Sequence, residues 1–104
     1  MLFRLRGPMS FGAARGINSR VSQVHNYEAL LLDISDVPRM GVTAALAVER
    51  MIKEAESQGR IAVVAGANKR LAQRLQRFGV EMVIANRLEA LQYTQKQLKD
   101  KQNG

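Results

Sequence analysis

The sequence predicts an α/β fold: one domain with a mostly parallel sheet of about four strands packed with about four helices. Three observations predict it. Short apolar runs of strand length alternate with segments of helical period along the chain. The run from Ala29 to Ile34, broken only by Asp33, is apolar at successive positions, as in a strand covered on both faces. The 104 residues are 46% apolar and 24% charged, enough to bury one core but not two.

Leu2-Phe3-Arg4-Leu5-Arg6 reads as the first strand, closed by Gly7-Pro8. A helix is expected from Ser10–Gly12 onward. Ile17, Val21 and Val24 make its apolar stripe, Gly16 weakens it, and His25-Asn26 ends it. Ala29 to Ile34 is the second strand, and Ser35-Asp36-Val37-Pro38 turns the chain. The clearest helix runs from Val42 to Gln58. Ala44, Ala45, Val48, Met51, Ile52 and Ala55 share its apolar arc. Glu49 with Lys53 and Arg50 with Glu54 are spaced to pair on the other arc, and Gly59 stops the helix.

Ile61 to Ala65 is the third strand. Asn68 is a natural N-cap for a helix carrying Leu71, Ala72, Leu75 and Phe78 and ended by Gly79. Met82-Val83-Ile84 is a short fourth strand. Asn86, with Glu89 three residues on, resembles a capping box. Leu88, Leu91 and Leu98 are expected to line the last helix. The domain is thus expected over residues 1–98, with a polar, frayed tail over 99–104.

Charge and composition exclude several functions. There is no cysteine, hence no disulfide framework, no cysteine-ligated zinc and no cysteine nucleophile. No metal set, catalytic residues or cofactor is assigned, because no nucleophile lies with a base and no carboxylates pair at acid–base spacing. His25 is the only histidine and stands outside any motif. No apolar run reaches the roughly 20 residues of a bilayer span. The net charge is +7 and uneven: residues 57–80 hold five basic side chains and no acid. Such a surface attracts polyanions. Aromatic residues are scarce, so a membrane-proximal place beside anionic lipid is expected ahead of specific nucleic-acid binding.

Candidate sites follow from position. Asp33, Ser35 and Asp36 stand at the end of a strand, where open α/β sheets bind ligands; turn chemistry is the better account of them taken alone. Gly66, Asn68, Lys69 and Arg70 form a loop from strand to helix that suits a phosphate, although it is not a Walker A sequence. Val42 and Leu46 fall on the charged side of the long helix. With Arg39 and Met40 they form a candidate protein-contact surface.

The segment from Leu31 to Leu46 resembles the signature of STAS domains, in which a buried strand ends in an Asp-Leu-Ser-like turn and an Asp-Ser-Ser-Gly-like sequence starts a long helix. Val63-Val64-Ala65-Gly66 and the basic helix after it are also similar. The stretch from Phe3 to Ala14, with Gly7-Pro8 and Phe11-Gly12-Ala13, resembles the STAS tails of SulP anion transporters, most of all the cyanobacterial sodium-dependent bicarbonate subtype. The resemblance implies a STAS fold lacking the family's first strand. It implies a cytoplasmic, non-catalytic regulatory domain at the inner face of a membrane. Its partners would be a second copy and the membrane-embedded part of the transporter, with at most weak nucleotide binding. Thr43 falls where phosphorylation-switched anti-sigma-factor antagonists carry their serine, which makes it a candidate phosphorylation site and such an antagonist the other reading. Gly41 replaces the acidic residue of that motif.

Overall fold

The structure, a computed structural model, describes residues 2–6, 15–16, 19–20 and 27–103. Residues 15–16 and 19–20 are helical; the rest of the first expected helix, with Ile17, Val21, Val24 and His25, lies outside the described residues. The described elements are β1 (Leu2–Arg6), β2 (Ala29–Asp36), α1 (Val42–Ser57), β3 (Ile61–Ala65), α2 (Lys69–Arg77), β4 (Val83–Ile84) and α3 (Arg87–Asn103). The four strands form one sheet in the order β1-β2-β3-β4, and every neighbouring pair is parallel.

Successive strand residues face opposite sides of a sheet. Leu30, Leu32 and Ile34 of β2 and Ala62 and Val64 of β3 therefore share one face, covered by α1 and α2. The six apolar residues predicted for the long helix, from Ala44 to Ala55, are all buried in this layer. Leu31, Val63 and Ala65 face the other way and meet α3 through Ala90, Leu91 and Tyr93. Both faces of β2 are thus covered, and its first six residues are buried.

Helix ends follow local chemistry. Asn68 caps α2 by accepting the Leu71 N–H at 2.9 Å. Asn86 likewise accepts the Glu89 N–H at 3.1 Å at the start of α3. α1 and α2 close in the same hydrogen-bonded turn: the Arg60 N–H reaches Ala55 O at 3.0 Å, and the Val80 N–H reaches Leu75 O at 3.0 Å.

Four expectations need correction. β2 runs on to Asp36, because its backbone keeps pairing with β1 as far as Arg6, past an irregularity; the turn is made by the Val37 N–H to Ile34 O bond at 3.0 Å. Leu88 does not line α3 but is 63% exposed. It lies two residues, about 200° of helix, from Ala90, which faces the sheet. Lys53 pairs with Glu56 at 3.8 Å rather than with Glu49. Residues 99–103, expected to fray, continue α3 to Asn103, and Lys101 Nζ donates to Gly59 O at 2.6 Å.

Candidate functional site

Parallel strands all end on one side of their sheet, and the loops after them gather there. The site begins with the register of β1 on β2, which sets Arg4 beside Asp33. Alternation turns Asp33 to the α3 side, where its side chain is fully buried. One carboxylate oxygen, Oδ1, accepts from the Ser35 N–H at 2.9 Å and the Ser35 hydroxyl at 2.5 Å. The other, Oδ2, accepts from Arg4 Nε and from Arg87 Nη1, each at 3.4 Å. The two arginines are about half exposed, so the ion pairs are solvent-screened, while the bonds from Ser35 are short.

Burial pushes the Asp33 carboxyl upward, but the two bonds from Ser35 and the bond and charge of Arg4 outweigh it and hold the group below its ordinary value. Asp33 is therefore ionised at neutral pH with its lone pairs engaged. Such a group is a poor general base; it fastens β1 and the start of α3 to the end of β2. Beside it lies an open cleft of about 570 Å³ lined by Arg4, Ser35, Asp36, Ala85, Asn86, Arg87 and Leu88.

Gly66 locks this corner from the far side. Its φ is +78°, and a Cβ there would overlap Ser35 Oγ and come within 3.0 Å of Ser35 Cα. A backbone atom cannot swing away, so only glycine allows β3 to end against Ser35.

The structure brings Asp33, Ser35 and Asp36 to one corner, with Gly66 behind it. It separates them from the rest of the predicted loop. The Asn68 side chain is spent on the α2 cap and on Pro38 O, to which Nδ2 donates at 3.2 Å. Lys69 and Arg70 are exposed on the first turn of α2 and do not line the cleft. Of the contact set, Arg39 is exposed, Val42 is 51% exposed and Leu46 40%. Met40 must be removed from that set: it is only 3% exposed and belongs to the core. The reason is tertiary. The loop before α1 folds under the helix, and Arg74 Nη1 fixes it by donating to Met40 O at 2.8 Å. Thr43 is exposed in the first turn of α1, whose N-cap, Gly41, offers no side-chain hydrogen bond.

Sequence reading missed Arg4 and Arg87. No local motif marks them; Arg4 is reached only through strand register, and Arg87 lies 54 positions from its partner. Among the described residues, no three His, Asp or Glu cluster in a way that would hold a metal ion, and no helix is long and apolar enough to cross a membrane.

Comparison with known proteins bears on this geometry. Residues 1–98 match the STAS domain family. The chain is 41% identical over 80 residues to the bicarbonate transporter BicA of Synechocystis sp., and 42% identical over 77 residues to BicA of Picosynechococcus sp.. Those matches cover 77% and 74% of this chain but only 14% of either transporter. Among solved structures, the STAS domain of a SulP transporter from Vibrio cholerae superposes with a TM-score of 0.79. It is 24% identical, and the match covers 95% of this chain and 83% of that one, a likeness of fold. The family match spans all but the last six residues, and the chain belongs to the STAS domain family.

Proposed function

We propose that this domain is the non-catalytic regulatory STAS domain of a SulP-type anion transporter, that it works on the cytoplasmic side of the membrane, and that the transported anion is bicarbonate. The observation that carries the reading is the identity of just over 40% with two bicarbonate transporters across about three quarters of the chain. The site agrees with it. Asp33 and its partners form a fixed fastening: the carboxylate that accepts the Ser35 hydroxyl also accepts the Ser35 N–H and the Arg4 and Arg87 guanidinium groups and is held below its ordinary pKa, which makes it a poor general base.

A regulatory domain acts by touching the states of its transporter unequally; equal contact shifts nothing. A rigid corner that ties β1 to α3 suits such a task, because force on one element is passed to the other through Asp33. A second part of the reading is self-association. Sedimentation equilibrium at rising concentration is expected to give a mass above 11.6 kDa, and strictly monomeric behaviour removes that part alone.

The main test is an exchange. The matching segment of the Synechocystis transporter is replaced by residues 1–98 of this chain, and bicarbonate uptake is measured in cells. Uptake near that of the parent transporter is expected. Uptake no better than that of a transporter lacking the segment would sink the proposal. No observation favours the phosphorylation-switched antagonist over this reading.

A further inference from the structure

Two features outside the cleft converge at the carboxyl edge of the sheet, on the α1/α2 side. The first is apolar. Val42 and Leu46, one helical turn apart at the start of α1, are 51% and 40% exposed, while the six apolar residues on the helix's opposite arc are buried. The second is cationic. Lys69 and Arg70 occupy the first turn of α2, the positive end of the helix dipole, where cations are disfavoured and acids usual. No acid stands in the first turn of either helix. Among the described residues, neither Lys69 nor Arg70 has an acidic partner.

Residues 37–41 join the two features. Asn68 Nδ2 binds Pro38 O at 3.2 Å, and Arg74 Nη1 binds Met40 O at 2.8 Å, so this loop runs from the start of α2 to the start of α1. It carries Arg39, which is exposed between them. The nearest acid in sequence, Asp36 at the end of β2, lines the cleft with Arg4 and Arg87. The middle of α1 differs: there Glu49, Arg50, Lys53, Glu54 and Glu56 mix both signs, and Lys53 pairs with Glu56 at 3.8 Å.

Exposed aliphatic side chains flanked by unpaired cations are the pattern of surfaces that rest on acidic bilayers. The cations hold the headgroups while the aliphatics enter the boundary of the acyl chains. We propose that Arg39, Val42, Leu46, Lys69 and Arg70 form a patch that lies on an anionic lipid surface. It would orient the domain against the membrane. It does not depend on the transporter assignment, because the chain by itself should bind vesicles.

The test uses the 104-residue chain and co-sedimentation with vesicles of phosphatidylcholine, with and without 30% phosphatidylglycerol. Binding is expected only to the acidic vesicles and should weaken steeply with salt. Lys69→Gln with Arg70→Gln should weaken it about 10- to 30-fold, given about fivefold per cation near such a surface. Leu46→Glu should weaken it as well. Arg50→Gln, which removes one charge from the mixed face, should leave it nearly unchanged, whereas Lys69→Gln or Arg70→Gln alone should weaken it about fivefold. All these side chains are exposed, so thermal melts should coincide with wild type and exclude unfolding. Equal binding to neutral and acidic vesicles, or equal losses from Arg50→Gln and the double variant, would overturn the proposal. So would an effect of Leu46→Glu confined to self-association, which would give the patch to a second copy of the chain.

Discussion

The α1/α2 face of the sheet buries Leu30, Leu32, Ile34, Ala62 and Val64 under two helices, in one apolar cluster that runs on through Met40 to Val80. Among the described residues, the apolar cluster on the α3 face is smaller, with Leu31, Val63, Ala65 and Ala90 buried, and the face ends in a charged group, Asp33 with Arg4 and Arg87. The first face is held by area removed from water, and its buried cluster contains no group that titrates. The second is a thin apolar layer finished by hydrogen bonds and screened ion pairs. The fold thus puts most of its stability on one side of the sheet and its polar corner on the other.

The largest break in this comparison should come from Leu32→Ala. Leu32 is fully buried on the α1/α2 face. Truncation of a buried leucine costs about 2–5 kcal/mol, and urea unfolding should show that loss unchanged between pH 7 and pH 4. A small or strongly pH-dependent loss would mean that the face is not the apolar keystone described.

Gly66→Ala should come next, at about 2 kcal/mol or more, from steric overlap with Ser35 and a backbone angle that L-residues avoid. It should also disturb the other side, since it pushes on the residue that holds Asp33. In amide NMR spectra, the Ser35 and Arg87 signals should move with those of β3. Shifts restricted to the β3 loop would show that the two sides are not coupled there.

Asp33→Asn should have a smaller effect, about 1–3 kcal/mol at pH 7. Its pH dependence sharpens the contrast. The folded Asp33 carboxyl is held below its ordinary value, so its contribution is complete above about pH 4 and is lost as pH falls through the lowered value. The stability gap between wild type and variant should therefore be widest near neutrality and close in acid. A gap that widens in acid would reverse the sign of the coupling. Arg87→Gln should cost less than about 1 kcal/mol, because the side chain is about half exposed.

How much was legible in the sequence follows the same division. The arc of α1 from Ala44 to Ala55, both asparagine caps and the span of β3 are local patterns, and each reappears in the structure where the residues put it. The candidate corner was legible only in part. Asp33 and Ser35 could be marked because they end an apolar strand. Their function as a fastening could not, because it requires Arg4 and Arg87 from remote segments. Met40 shows the same limit in reverse: an apolar residue in a polar loop reads as exposed until Arg74 draws that loop under α1.

By itself, the sequence determined which stretches become strands and helices and which arc of each is apolar, because period and capping act over a few neighbouring residues. The tertiary structure decided which groups meet across the end of the sheet: Arg4 and Arg87 on Asp33, Gly66 against Ser35, and Asn68 and Arg74 on the loop before α1. Those meetings depend on strand register and on how helices settle on the sheet, which are set by the packing of the whole core and leave no trace in local spacing.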